Sequence, residues 1–410
     1  MECGYGILCY ATNNTKEVIH IQKLQIGHIP AVLYDTGSQT ERVCLFVHGK
    51  CGRKEEAAEF SPLLAEQGIA ALAIDLPDHG ERQGKGEILA PWTAVPDIAA
   101  AYDWLCARYA AVSLYAISIG AYFSMLALMG RTVERAYFES PVLSMTRLIE
   151  GMMAAAGVTA AELEKQGEIP TDFGETLSWR YYTYAKSHPL TDWCVPTSIL
   201  WADGDSLTDR GTAESFAAEH SIPLHVAKGC AHWFHTPEAL RIRKNWRMAV
   251  RRTIRQATET DVPAIRALYA AAKTMPDTTW NAYYPGDEEI AADLSSGGLY
   301  VWEDADAVVG AVSVAETDAL DALAVFAGDQ CTHRSISRLV IDPAQQGHGY
   351  AAYFLTELFA RLHREGVEEI RLLAAKCNRA ANATYTRLGF QYLGTCTMYG
   401  VDFHVCRKTL

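Results

Sequence analysis

No stretch of the 410-residue sequence approaches 18 uninterrupted apolar positions, so no segment reads as a membrane-spanning helix. There is no Cys-x-x-Cys pair. The 11 cysteines are spread singly from Cys3 to Cys406, an odd count without the spacing of a disulfide framework or a zinc site. Reduced thiols, a cytoplasmic location and no metal are therefore expected. Basic charge is scarce: 36 Lys and Arg face 49 Asp and Glu, giving a net charge of −13. A general nucleic-acid surface needs clustered cations against phosphate, and neither half of the chain is basic, so small molecules are the expected partners. The opening residues, Met1-Glu2-Cys3-Gly4-Tyr5, carry an acid where a secretory signal has its basic region, and export is not expected. Internal repeats and low-complexity tracts are also missing, which removes solenoids and disordered linkers. What remains is an ordinary globular balance, 49% hydrophobic and 21% charged. Its length exceeds one core of about 150 residues, so at least two domains are expected.

From Arg42 onward, short apolar runs alternate with helical stretches. The pattern predicts strands at 43–47, 69–74, 113–117, 135–138, 197–201 and 223–226, and helices at 55–67, 97–109, 209–219 and 237–250. Strands separated by amphipathic helices imply parallel crossovers, hence an α/β sheet. Between Ser140 and Pro196 the alternation stops. This helical segment, rich in Met and aromatic residues such as Met153, Phe173, Trp179, Tyr182 and Trp193, reads as a cap over the sheet at about 143–195. Such a stripe at helical spacing serves core packing more often than an apolar acyl or aryl pocket.

The helix bearing Arg241, Arg243, Lys244, Arg247, Arg251 and Arg252 reads as a solvated helix end or domain seam. The pattern restarts at Thr253, with Thr260 and Asp261 as a helix cap and Pro263 in the first turn. That restart predicts domains at 1–250 and 253–410. The second half predicts strands at 253–257, 299–303, 307–314, 335–341, 369–374, 392–398 and 401–408, with helices at 264–273, 349–365 and 379–388.

The strand at 113–117 runs through Ala116-Ile117-Ser118-Ile119-Gly120 into a helix. A serine on so sharp a turn needs small neighbours, which Ala116 and Gly120 supply. A serine hydroxyl is a poor nucleophile until an imidazole takes its proton and an acid orients that imidazole. After the strand at 197–201 come Asp203 and Asp205; after that at 223–226 come His232 and His235. Asp205 is the expected acid and His232 the expected base, with Asp203 and His235 as alternatives. Backbone donors for the oxyanion are expected from the N–H of Ile119 and from the loop His48-Gly49-Lys50, most simply at Lys50. The His-Gly loop, Asp75-Leu76-Pro77-Asp78-His79-Gly80, the Ser118 turn, Asp205 and His232 together resemble the α/β-hydrolase superfamily over residues 1–250. Within it they resemble a group of capped bacterial hydrolases with a His-Trp-Phe-His-Thr-Pro ending. The resemblance implies an esterase-like serine hydrolase and names no substrate; a small peptidase or thioesterase is the alternative.

In the second half, the strand ending at Ile341 is followed by Gln346-Gly347-His348-Gly349-Tyr350-Ala351, which opens a long helix. Such a turn offers unpaired N–H groups and the positive end of a helix dipole to a pyrophosphate. The run resembles the acetyl-CoA loop of GNAT-type N-acetyltransferases, and the resemblance covers residues 253–410. Downstream, Asn378 and Tyr385 lie two helical turns apart on one face, before Leu388-Gly389-Phe390. The resemblance implies that Ile341, residues 346–351 and Asn378 contact acetyl-CoA and that Tyr385 protonates the departing thiolate. It also implies that Trp280 and Tyr283-Tyr284-Pro285 lie on the acceptor side. One departure stands out: a glutamate expected on the strand entering the loop is replaced by Ser335, which cannot take an amine's proton unaided. His333, Glu316 and His404 are the candidate substitutes.

The sequence thus predicts a two-domain α/β chain: an α/β-hydrolase fold with a helical cap, then a GNAT mixed α+β fold. The expected function is bifunctional, a carboxylesterase-like serine hydrolase joined to an acetyl-CoA-dependent N-acetyltransferase. The alternative is a GNAT domain that senses acyl-CoA and regulates the hydrolase.

Overall fold

A computed structural model describes residues 5–9, 18–35, 40–220, 222–250, 252–304 and 307–410. The chain divides into two compact units, Met1–Arg243 and Lys244–Leu410.

The strands of the first unit are β1 (Tyr5–Cys9), β2 (Val18–Ile26), β3 (Ile29–Asp35), β4 (Arg42–Val47), β5 (Ile69–Ile74), β6 (Ala111–Ile117), β7 (Ala136–Glu139), β10 (Thr197–Gly204) and β11 (Leu224–Ala231), with β8 (Glu168–Pro170) and β9 (Thr176–Ser178) forming a separate hairpin. The nine-stranded sheet has the order β1-β2-β3-β5-β4-β6-β7-β10-β11. Pairing is antiparallel as far as β3–β5 and parallel from there on. Parallel strands are covered on both faces, which is why β5, Ile-Ala-Ala-Leu-Ala-Ile, is buried at every position. From β2 onward the order and directions are those of the α/β-hydrolase fold.

The helices of this unit are α1 (Ser61–Ala65), α2 (Pro91–Cys106), α3 (Ile119–Leu128), α4 (Met145–Ala156), α5 (Ala160–Gln166), α6 (Trp179–Ser187), α7 (Arg210–Glu219) and α8 (Pro237–Val250). The continuous helix expected at 55–67 is instead a 3-10 turn, Lys54–Glu59, followed by α1. Pro62 explains the break, since it has no N–H and crowds the carbonyl four residues back.

Helices α4 to α6 and the β8–β9 hairpin form the cap. Ser144 caps α4 at the N–H of Arg147, and Thr159 and Glu162 cap α5 reciprocally. Met153, Leu163, Leu177, Tyr182 and Trp193 join the main core, so most of the aromatic stripe is packing, whereas Phe173 is exposed. No helix among the described residues is long and apolar enough to cross a membrane.

The second unit contains β12 (Thr253–Gln256), β13 (Leu299–Asp304), β14 (Ala307–Ala315), β15 (His333–Ile341), β16 (Glu369–Ala375), β17 (Gln391–Met398) and β18 (Val401–Thr409), with α9 (Val262–Ala272), α10 (Asp287–Ser295), α11 (Tyr350–Arg364) and α12 (Arg379–Arg387). The sheet order is β12-β13-β14-β15-β16-β18-β17. Among the described residues of this sheet only β15–β16 is parallel, and that pairing stops at Ser335 opposite Arg371, after which the two strands part. One sheet face packs Leu299, Val301, Ala311 and Val340 against α9 and α10; the other packs Trp302, Val312, Ile336 and Leu372 against α11. Asp261 does not cap α9 through its side chain; its carboxylate accepts from Thr258 N–H and binds Arg255.

The division between units falls inside α8, whose Met248 and Ala249 belong to the second core. Of the basic residues around this helix, Arg243 binds Glu59 and Glu139, Arg241 binds Glu238, and Arg252 binds Asp304 and Gln345; Arg251 lies outside the described residues.

Candidate functional sites

In the first unit, β6 delivers Ser118 onto α3 with φ 53° and ψ −122°, a positive φ that L-residues rarely adopt. Close packing enforces the turn. A Cβ on Gly120 would lie 2.3 Å from the carbonyl oxygen of His48, and one on Gly49 would lie 3.1 Å from Cβ of Ser118. The loop after β4 is therefore pressed against the serine.

His232 follows β11 directly and Asp205 follows β10. His232 Nε2 lies 2.9 Å from Ser118 Oγ and Nδ1 lies 2.8 Å from Asp205 Oδ2. All three side chains are buried, and Asp205 is fixed further by accepting from the N–H groups of Leu207 and Thr208. Asp203 is engaged elsewhere, accepting from Gly229 N–H, and His235 turns to the carbonyl of Trp233. An imidazole aligned between a hydroxyl and a carboxylate can take the hydroxyl proton while its new charge is stabilised.

The N–H groups of Lys50 and Ile119 donate to no residue among those described. The Lys50 ammonium pairs with Glu175 of the cap. His48, whose place in this scaffold the sequence left unassigned, anchors the loop: Nδ1 donates to Gly49 O and Nε2 accepts from Leu76 N–H. Burial pushes the His48 imidazole down to about 4, keeping it neutral for that acceptor role. The sequence also left Lys54 unassigned. Its ammonium is buried against Asp75, and the Lys54 N–H meets the same carboxylate. A buried lysine has no periodicity signature, so nothing in the local pattern marks it.

In the second unit, the turn at 346–351 opens the 15-residue α11. Gly347 and Gly349 take φ values of 81° and 78°, and a Cβ on Gly347 would meet nothing within 4 Å. The N–H groups of Gly347, His348, Gly349 and Ala351 donate to no described residue. Arg387 of α12, unassigned from sequence, sets its guanidinium beside Gly349 and enters no ion pair among the described residues. Unspent donors, glycine backbone, a helix dipole and a nearby cation fit the pyrophosphate of acetyl-CoA.

The other expected contact residues lie close by. Ile341 is in the core, with its carbonyl taken by Gln346 Nε2, and the Tyr350 ring packs between Arg252 and Trp302. Both side chains are packed in the interior, which leaves their backbone as the part that a ligand could meet. Asn378 caps α12 by accepting from Ala381 N–H, which leaves its amide nitrogen. Tyr385 is buried against Phe390, and burial raises its phenol above the ordinary tyrosine range, so it holds its proton.

Arg338 sits on a bulge in β15 at φ 51°, where Ala311 pairs Val340 and Ser313 pairs Ser337. It binds Asp293, Ser313 and the hydroxyl of Tyr284, joining the 280–285 segment to the strand. Asp329, Cys331 and Glu369 cluster closely enough to hold a cation, but the buried Arg371 guanidinium already lies 3.0 Å from Asp329 and 2.8 Å from Glu369.

Residues 262–390 match the model of the Acetyltransferase (GNAT) family. The chain thus joins a domain with the strand order of the α/β-hydrolase fold to a domain that matches the GNAT family model. No curated protein matches it. Among solved structures it is similar to Est1E from Butyrivibrio proteoclasticus with ferulic acid bound, at 19% identity over 53% of this chain and 93% of that one, TM-score 0.45. It is similar to a GNAT-family acetyltransferase from Streptococcus agalactiae at 20% identity over 39% and 95%, TM-score 0.35. It is also similar to yncA of Salmonella typhimurium, solved with its cofactor acetyl-CoA, at 21% identity over 39% and 94%, TM-score 0.32.

Proposed function

We propose that the chain is a cytoplasmic bifunctional enzyme: a carboxylesterase-like serine hydrolase followed by an acetyl-CoA-dependent N-acetyltransferase for a small amine. The observation that carries the first half is the unbroken line Ser118–His232–Asp205, at 2.9 and 2.8 Å. Ser118 Oγ attacks the ester carbonyl as His232 takes its proton, Asp205 holds the imidazolium, and the N–H groups of Lys50 and Ile119 receive the oxyanion. His232 then returns the proton to the leaving alcohol, takes one from a water that attacks the acyl group, and gives it back to Ser118 as the acid departs.

The second half rests on the glycine turn with its unspent donors. Acetyl-CoA, when bound, supplies an activated acetyl thioester. Residues 346–351 and Arg387 hold its phosphates, Asn378 offers its amide nitrogen, and Tyr385 keeps a proton for the departing thiolate.

The sensor reading draws on Ser335, a buried strand position with no titratable group. It differs in outcome: tight acetyl-CoA binding, no transfer to any amine, and ester hydrolysis that changes when acetyl-CoA is added.

Two measurements on the full chain test the proposal. A fluorophosphonate should add once by intact mass, and the adduct should vanish in Ser118→Ala; labelling that persists there removes the hydrolase assignment. Calorimetry should show acetyl-CoA binding that Gly349→Val weakens more than Gln346→Ala, because backbone donors dominate. Equal losses in the two variants contradict that.

A further inference from the structure

An amine that becomes an amide must give up a proton, and a nearby base is worth about 10²–10⁴ in rate. Alternation along the strands places the candidates. Ile336 and Leu372 enter the core under α11, so Ser335 and Arg371 lie on the opposite face. That face is covered on one side by α9 and α10, and on the other by residues 316–332, whose Leu320 and Phe326 pack on Leu373 and Val405. Ser335 lies where β15 and β16 part.

Ser335 is only 1% exposed, and its hydroxyl makes no hydrogen bond of good geometry among the described residues. Asp318, half-buried on the covering segment, lies three residues beyond Ala315, which pairs with Ser335, and its carboxylate is close enough to interact with that hydroxyl. Oδ1 of Asp318 accepts from Leu320 N–H at 2.7 Å. The other candidates are spent or misplaced. His333 Nε2 faces Asp321 at 2.8 Å, exposed Glu316 pairs with Arg334, and the His404 ring packs edge-on against Tyr392.

We propose that Asp318 takes the acceptor amine's proton in the acetyltransferase domain, with the Ser335 hydroxyl as relay. The inference rests on the transferase reading of that domain. As the amine nitrogen bonds the acetyl carbon, the C–S bond breaks and the thiolate takes the Tyr385 proton. The amine's proton passes to Ser335 Oγ while the Ser335 hydroxyl proton moves to Asp318; Asp318 then releases that proton to water and water returns one to Tyr385. Burial raises the Asp318 carboxyl above its ordinary range, and Asp321 adds to this. Leu320 N–H, Ser335 and His333 oppose it, while Arg371 binds Asp321. A carboxylate raised toward operating pH is a better matched base.

The test uses the full chain with acetyl-CoA and tyramine, spermidine and an amino-acid amide as acceptors, reading thiol release. Asp318→Asn should lower kcat about 10²-fold near neutral pH, leave KM for acetyl-CoA within twofold, and make log kcat climb with pH. Asp318→Glu should recover part of the rate and restore the plateau. A merely structural role would lower thermal stability and leave the shape of the pH profile alone. Transfer in the wild type with an unchanged profile in Asp318→Asn overturns the assignment by itself. No thiol release from the wild type with any acceptor overturns it together with the transferase reading.

Discussion

Two aspartates two residues apart end up in different employment, and the backbone between them decides which one can serve His232. Asp203 spends its carboxylate on Gly229 N–H across the β10–β11 edge. Asp205 has a side chain fully shielded from solvent, takes two N–H groups on one oxygen and offers the other to the imidazole. Sequence order could leave both open, because it shows only that both follow the same strand. Asp205→Asn should therefore cut kcat for ester hydrolysis by about 10⁴, since an amide supports the wrong imidazole tautomer. Asp203→Asn should stay within about threefold, having lost a loop contact and nothing at the reacting atoms. Steady-state kinetics on a p-nitrophenyl ester checks the pair, and a larger loss at Asp203 would reverse the assignment.

At the scale of elements, the parallel strands β4, β5 and β6 were readable as apolar runs, and Ser118 was readable because it ends one of them. The edge was not. In β2 the apolar positions Ile19, Ile21, Leu24 and Ile26 shift parity midway, and in β3 nearly every residue is buried, so neither gives clean alternation. The three-residue strands β8 and β9 are too short for any period, and α10 buries only Ile290 fully, which leaves no stripe. Tertiary roles such as that of His48 are equally silent. This residue ties the loop after β4 to the loop after β5 and must stay neutral to accept from Leu76. Its folded pKa of about 4 lies below the ordinary 6.5, so the unfolded chain binds the proton first as pH falls. Stability should therefore drop across the window from about pH 6.5 to 4 by up to about 3 kcal/mol from this group, and be fully present above it. Urea unfolding followed across that window checks the slope. His48→Gln, whose amide oxygen can accept the same N–H without titrating, should flatten it.

At the scale of the whole chain, each unit has clusters of buried apolar residues of its own among the described residues. The main cluster of the first unit runs from Ile26 to Ile222, and the clusters of the second lie between Ala249 and Cys406. Each unit thus has a core of its own, as an independently folding domain requires. Heating the full chain should give two separable calorimetric transitions. Acetyl-CoA at about 100 times its Kd should stabilise one of them by about 2.7 kcal/mol, because it binds the folded form of that unit alone. Hydrogen exchange should place the added protection around residues 346–351 and α11, where the unspent N–H groups are, and leave β6 and α3 unchanged. A single transition, or protection that spreads to the Ser118 turn, would mean that binding in one unit is energetically coupled to the other. That outcome would favour a GNAT domain that regulates the hydrolase over two enzymes working side by side.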